Sequence, residues 1–340
     1  MKRIVLGTIL LSALLLVACA EQSTTEKYQK SRNNIVDVKD KVVEINTGDV
    51  LIGNNSRMSL LDKYWIVVEY GWHVTEEFIH IFDRDTYEPV LNTADIGQGP
   101  GEFPNPGRVI TDEAHRCFYL PDYALMKLYT FYIDSLLVDP DWQAEYKCSF
   151  PEDQLPIDCV YVNDTLCIGR LLLPIGVNDF RTGVCCWNMQ TSTIRIMPYE
   201  HPQIKKKRAK CVVSPEHNLY VDVYYRDDLL TFCDLDGNLK CNVYGPNWQN
   251  GEWTHGKDQF TNGVICKDKL VVGYSGKDHR EKNSGYATIL HVFDLDGNYI
   301  KTLDVGYLTY SLCYDERNNR LLLGMDDEIQ FGYLPLEGLL

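Results

Sequence analysis

The sequence contains none of the short motifs that carry enzymatic chemistry by themselves. There is no H-E-x-x-H pair for zinc, no G-x-S-x-G nucleophile elbow and no phosphate loop of the G-x-x-x-x-G-K-[ST] or G-x-G-x-x-G kind. Sialidase-type Asp boxes (Ser-x-Asp-x-Gly-x-Thr-Trp) are absent too. No C-x-x-C occurs among the twelve cysteines, which removes zinc ribbons and thioredoxin-type redox motifs. Positive charge is scarce, with 33 Lys and Arg against 48 Asp and Glu. That balance argues against nucleic acid as partner and against an anionic membrane surface as docking face. Sustained helical periodicity is missing after the first eighteen residues, while β-branched and aromatic residues dominate.

What is present begins with the leader. Lys2 and Arg3 precede an apolar run, Ile4–Ala18, too short to span a bilayer comfortably. It ends in Leu16-Val17-Ala18-Cys19, which resembles the bacterial lipobox and implies cleavage before Cys19 and lipid attachment to its sulfur. The expected organisation is a signal peptide over 1–18, a polar lipidated tether over 19–40 and one domain over 41–340. Without Lys2 and Arg3 the chain holds 31 basic and 48 acidic residues, a net charge of −17. Setting Cys19 aside leaves an odd number of cysteines, mostly within apolar runs such as "CFYL", "TLCIG" and "VCCWN". They read as buried free thiols rather than a disulfide framework.

The chain repeats itself. Asp-Leu-Asp-Gly-Asn occurs at 234–238 and again at 294–298, each time between apolar runs. An Asp-Gly pair there signals a hairpin, with a type I′ turn expected. Aligned on the aromatic before this turn, weaker copies place Phe82, Phe131, Trp187, Phe232, Phe293 and Phe331 in equivalent positions. Upstream of each lies a second hairpin, as in "RAKCVVSPEHNLYVDVYY" (208–225). Four strands per copy predict an all-β, six-bladed β-propeller with four-stranded antiparallel blades. The last copy stops after three strands, near Leu334, while "KVVEIN" (41–46) has no hairpin partner. This N-terminal strand is expected to join the C-terminal blade and close the ring.

"IGQGPGEFPNPG" (96–107) then reads as a crossover from one blade's outer strand to the next blade's inner one, with Phe103 wedged between the blades. From this stretch to "MKLYTF" (126–131), the sequence resembles an NHL repeat. With its lipobox, the chain is similar to the six-bladed, TolB-like propeller lipoproteins of Bacteroidetes. The resemblance implies an exported, lipid-anchored propeller and supplies no catalytic motif.

In such a fold the crossovers and the loops between second and third strands share one face. Those loops carry Trp72, His73, Tyr123, Asp179, Arg181, Arg226, Asp227, Trp253, His279 and Arg280, a mixture of flat apolar faces and charged hydrogen-bonding groups suited to a ligand mouth. Trp248 offers a further flat face. The two DLDGN turns fall on the opposite face and lack the EF-hand spacing. "KKKRAK" (205–210) reads as a solvated crossover loop, with docking of an acidic partner or headgroups as a lesser reading. The expected function is binding of a carbohydrate, peptide or envelope protein by an exported, membrane-anchored monomer. No cofactor is expected, although a central Ca²⁺ or Zn²⁺ stays open. The alternatives are a lactonase-like, metal-dependent hydrolase or lyase with an inter-blade site, and an assembly module.

Overall fold

The computed structural model describes residues 25–71, 74, 77–176, 179–251 and 256–340. The fold is all-β and propeller-like, with one six-residue helix, α1 (Ile133–Val138), among the described residues. Four-stranded antiparallel sheets follow one another along the chain. The first runs Ser56–Leu61, Tyr64–Glu69, Glu77–Asp83 and Pro89–Asp95. The second runs Ile110–Asp112, Cys117–Asp122, Lys127–Tyr132 and Glu145–Ser149. The third runs Leu155–Tyr161, Leu166–Pro174, Phe180–Asn188 and Ile194–Ile196. The fourth runs Ala209–Ser214, Leu219–Tyr224, Leu229–Cys233 and Leu239–Tyr244.

The remaining strands form one eight-stranded sheet, because a single 17-residue strand, Tyr299–Asp315, serves both of its halves. Its first part pairs with Ala287–Asp294 and its last part with Arg320–Met325. Gly306, at φ +65°, lies between the two parts. Val43 and Glu44 pair antiparallel with Tyr333 and Gly332, as expected for the segment 41–46.

The core lies between sheets. Strands such as Tyr64–Glu69, Leu219–Tyr224 and Arg320–Met325 are buried at every position, which requires a neighbour on both faces of the sheet. One apolar cluster joins the first sheet to the second through Phe78, Phe103 and Phe131. Others join the second to the third (Leu128, Trp187), the third to the fourth (Ile168, Tyr220) and the fourth to the eight-stranded sheet (Phe232, Phe260). A further cluster fills the space between the two halves of that sheet, and another returns to the start through Trp65 and Phe331, ring centroids 5.3 Å apart. At this last seam Asp315 is fully buried and receives Arg84 and Arg320, each at 2.8 Å. Burial opposes ionisation of Asp315, but the bonds from Arg84, Asn318 and Arg320 hold its pKa below the ordinary carboxylate range.

All six aligned aromatics sit on the third strand of their repeat, none more than 2% exposed. The crossover 96–107 behaves as expected: Gly101 is at φ +83°, the Glu102 carboxylate accepts the Gly99 N–H at 2.7 Å, and Phe103 lies 6.1 Å from Phe78 and 5.8 Å from Phe131. The eleven cysteines from Cys117 to Cys313 are all free thiols, nine of them buried.

Three expectations are corrected. Residues 25–40 are not a coreless tether. Glu26–Tyr28 adds in parallel to Leu239–Tyr244, and Ile35–Asp37 adds in parallel to Tyr299–Asp315. Arg32 and Val38 are buried, and Arg32 meets the buried Asp228 at 2.7 Å beneath the rings of Phe260 and Phe293. The DLDGN turns are not type I′, since only Gly237 (φ +90°) and Gly297 (φ +82°) within them have positive φ. Asp234 and Asp294 each accept the Gly N–H three residues on and bond the Asn beyond, the pattern of a three-residue loop with a glycine bulge. Finally, the segment after the aligned Phe131, where the repeat implies a turn and a fourth strand, begins with α1 instead, burying Ile133 and Leu136 in the core cluster of the first two sheets.

Candidate functional site

Two cavities open among the loops at the end of the sheets where second strands give way to third strands. One of them holds about 400 Å³; a roomier hollow of about 870 Å³ lies beside the first sheet, lined by Gly48, Leu51, Glu69, His80 and Asn92. The wall of the 400 Å³ cavity is built from the inner strands of the first and third sheets, the third sheet's second strand and the crossover between the first two, contributing Arg57, Asp158, Arg170 and Arg108, with Tyr70 and Tyr123 from the loops above. Arg57 occupies an inward position of Ser56–Leu61 and donates to the Ser56 carbonyl at 2.8 Å. Arg170 is fixed twice, by the Asp158 carboxylate 3.2 Å from its Nε and by the Ala209 carbonyl 2.9 Å from its Nη1. Asp158 itself sits in the left-handed region (φ +50°), at an irregularity between Ile157 and Val160 that interrupts the ladder. A bulge of this kind re-aims the side chain it carries.

Tyr123 lies over Gly107, where an added Cβ would come within 2.5 Å of its ring. Burial pushes the Tyr123 hydroxyl well above its ordinary pKa, and Tyr70 moves in the same direction for the same reason. Both therefore act as neutral donors, to the Pro156 carbonyl at 3.4 Å and the Gly107 carbonyl at 3.3 Å. From the fourth sheet, Lys210 faces the same charges. Its pKa is pushed down to about 7, first by burial and then by Arg57, Arg108 and Arg170, with Asp158 opposing. Lys210 as a whole is half-buried.

The second cavity, about 360 Å³, is lined by Ile204, Lys205, Lys206, Arg208, Arg226, Asp227 and Gly251. Arg226 reaches Asp258 at 3.3 Å, and burial raises the Asp227 carboxyl to about 6. Asp179 joins this neighbourhood through Lys206 at 2.9 Å, which holds its carboxyl below the usual range. His279 contacts the Gly256 carbonyl at 2.7 Å, and His279 and Arg280 share Asp278 at 3.6 and 2.9 Å. Asp278 bridges to Lys257, next to the Arg226 partner Asp258.

The residues expected at the ligand mouth therefore divide. Arg226 and Asp227 share the second cavity, with Asp179, His279 and Arg280 at one or two removes from it. Tyr123 belongs to the first cavity, and Arg181 pairs with Glu200 in the open. Trp72, His73, Trp253 and Cys19 lie outside the described residues. Trp248 is packed, not presented: its ring lies 4.9 Å from Tyr244 and 5.6 Å from His201. The basic run is only partly a solvated loop. Lys207 pairs with the buried Asp222, and Lys210 belongs to the strand Ala209–Ser214.

Arg57, Arg108, Asp158, Arg170 and Lys210 escaped the sequence reading because each is a lone residue, spread over 154 positions from 57 to 210. The one local signal is "RAK" (208–210), which ends in a strand-facing lysine. Among the described residues no three His, Cys, Asp or Glu side chains gather so as to hold a metal ion.

No family model matches the chain, and no curated protein matches it. Solved structures do resemble it. An exported protein, BF0058, from Bacteroides fragilis superposes with a TM-score of 0.52 at 12% identity, over 89% of this chain and 88% of that one. A member of the DUF4221 family from Bacteroides vulgatus gives 0.54 at 10% identity, over 86% and 94%. The extracellular domain of BT4673 from B. thetaiotaomicron, described as part of a hybrid two-component system, gives 0.52 at 11% identity. That match covers 90% of this chain but 35% of the other, so this chain spans about a third of that domain's length. At these identities the likeness is one of fold.

Proposed function

We propose that the chain is an exported, lipid-anchored propeller of six four-stranded blades that binds a ligand at its loop-rich face without chemistry. The blade count is supported by the cyclic series of core clusters, which returns from Phe331 to Trp65, and by the double use of Tyr299–Asp315. Export and anchoring at Cys19 rest on the leader sequence, and the resembling Bacteroides proteins described as exported or extracellular agree with them. An NHL- or TolB-like ancestry is consistent with the crossover 96–107.

The observation that carries the binding reading is the 400 Å³ cavity, within the size range of small-ligand sites and walled by tyrosine rings and convergent polar groups. Its occupant is a carbohydrate, a peptide or the chain end of an envelope protein. A thermal-shift screen of the mature chain against glycans and peptides tests this, because a ligand that binds the native state raises the melting temperature. At least one compound is expected to raise it in the wild type and not in Tyr123→Ala. A panel with no hit, or hits indifferent to Tyr123→Ala, refutes the reading.

A further inference from the structure

The charge inside the 400 Å³ cavity runs opposite to that of the molecule. The chain carries a net −15, yet Arg57, Arg108 and Arg170 line this cavity with one carboxylate, Asp158, and Lys210 lies close enough to feel their charges. Asp158 is already committed to Arg170. Among the described residues, Arg57, Arg108 and Lys210 have no carboxylate within ion-pair distance. Arg108 makes no side-chain hydrogen bond there either.

Arranging several cations around a partly enclosed cavity costs stability unless something neutralises them. Apart from the Arg170–Asp158 pair, the fold does not spend them on its own carboxylates, although acidic residues are plentiful in the sequence. The three lining arginines come from different elements: an inner strand of the first sheet, the crossover into the second and the third sheet's second strand, with Lys210 nearby on the fourth sheet's inner strand. They converge only because the sheets are arranged side by side. Guanidinium groups held around one space match the paired oxygens of carboxylate, sulfate and phosphate groups. Asp158 stays available as an acceptor for a hydroxyl of the occupant.

We propose that this cavity is an oxyanion-binding site, whose occupant is a compact ligand bearing at least two acidic oxygens. The inference rests on the binding reading above and narrows it to an anionic ligand. Its natural source is a sugar acid or sugar phosphate, a polycarboxylate, or a free inorganic anion, all of which share that chemistry.

The test is calorimetric titration of the mature chain with inorganic phosphate, citrate, glucuronate and glucose 6-phosphate, at ionic strength held constant with KCl. At least one probe is expected to bind, and the ranking separates the sources: inorganic phosphate highest for a free ion, the sugar derivatives highest for a saccharide, citrate highest for a polycarboxylate. Arg57→Gln and Arg108→Gln should each weaken that probe by about tenfold or more, the loss expected for one charge-assisted contact. Their unliganded melting temperatures should stay level or rise, since each removes like-charge repulsion. Should Arg57→Gln fail to fold, Arg108→Gln carries the test, because its side chain holds no hydrogen bond in the described structure. No binding above the KCl control, or affinities unchanged in both variants, overturns the inference. A neutral glycan or peptide that binds, is lost in Tyr123→Ala and ignores both arginine variants refutes the anion site while leaving the binding reading intact. Silence from charged and neutral probes together refutes both.

Discussion

Single buried charges decide much of this molecule's behaviour at the residue scale. Arg32 and Asp228 lie far apart in sequence and are both buried, so removing one strands the other in a low-dielectric interior. Arg32→Ala is expected to lower unfolding stability by about 3–5 kcal/mol, whereas adding Asp228→Asn should recover part of that loss. Urea denaturation of both variants measures it, and equal losses would show that the stacking on Phe260 and Phe293 matters more than the ion pair. Lys210 makes the opposite argument. Its folded pKa, about 7, lies below its unfolded value, and Arg57, Arg108, Asp158 and Arg170 are the charges that face it. Between about pH 7 and 10.5 the unfolded chain therefore binds more protons than the native state, so this residue makes stability rise with pH across that window. In Lys210→Met that component of the rise should vanish. A pH series of denaturation midpoints that keeps the same slope would contradict it.

At the scale of elements, the glycine bulges and the crossover wedge set the geometry. Gly297 is at φ +82°, and a Cβ there would lie 2.5 Å from a Val243 methyl, so Gly297→Ala combines backbone strain with a clash. A loss of about 1–3 kcal/mol is expected. Phe103→Ala removes the ring shared by the first two sheets and should cost about 3–5 kcal/mol, measured by chemical denaturation. These are places where the sequence was readable. The aromatic before each turn, the Asp-Gly pairs and the Gly-Pro crossover are local signals, and local signals mark strands and corners. Residues 25–38 were not readable, because a polar strap bonds through its backbone to sheet edges and so leaves no apolar period. The helix "IDSLLV" is too short to show one. The cationic cavity was illegible for a third reason: its members become neighbours only through the packing of successive sheets, and a lone arginine on a strand looks the same whether it faces solvent or a cavity.

For the whole molecule, the strap would tie the proposed anchoring to orientation. Glu26–Tyr28, Ile35–Asp37 and Val43–Glu44 lie along the outer edges of the fourth sheet and of the two halves of the eight-stranded sheet in turn. The Thr25 carbonyl is already held by the Asn242 N–H at 2.7 Å. If Cys19 carries the lipid, the chain from it to Thr25 reaches at most about 20 Å when fully extended. The outer edge of the fourth sheet then stays near the bilayer, and the second sheet, separated from the fourth by the third, lies farther from it. The buried native thiols, several with pKa values raised by burial such as Cys233 (about 12) and Cys241 (about 11), should react slowly enough for an introduced surface cysteine to be labelled selectively. A fluorophore on Lys240→Cys, exposed on the fourth sheet's outer strand, is expected to be quenched strongly by headgroup-labelled quencher lipids in vesicles carrying the lipidated protein. One on Tyr146→Cys, exposed on the outer strand of the second sheet, should be quenched weakly. Equal quenching at the two positions would mean that the strap does not orient the propeller.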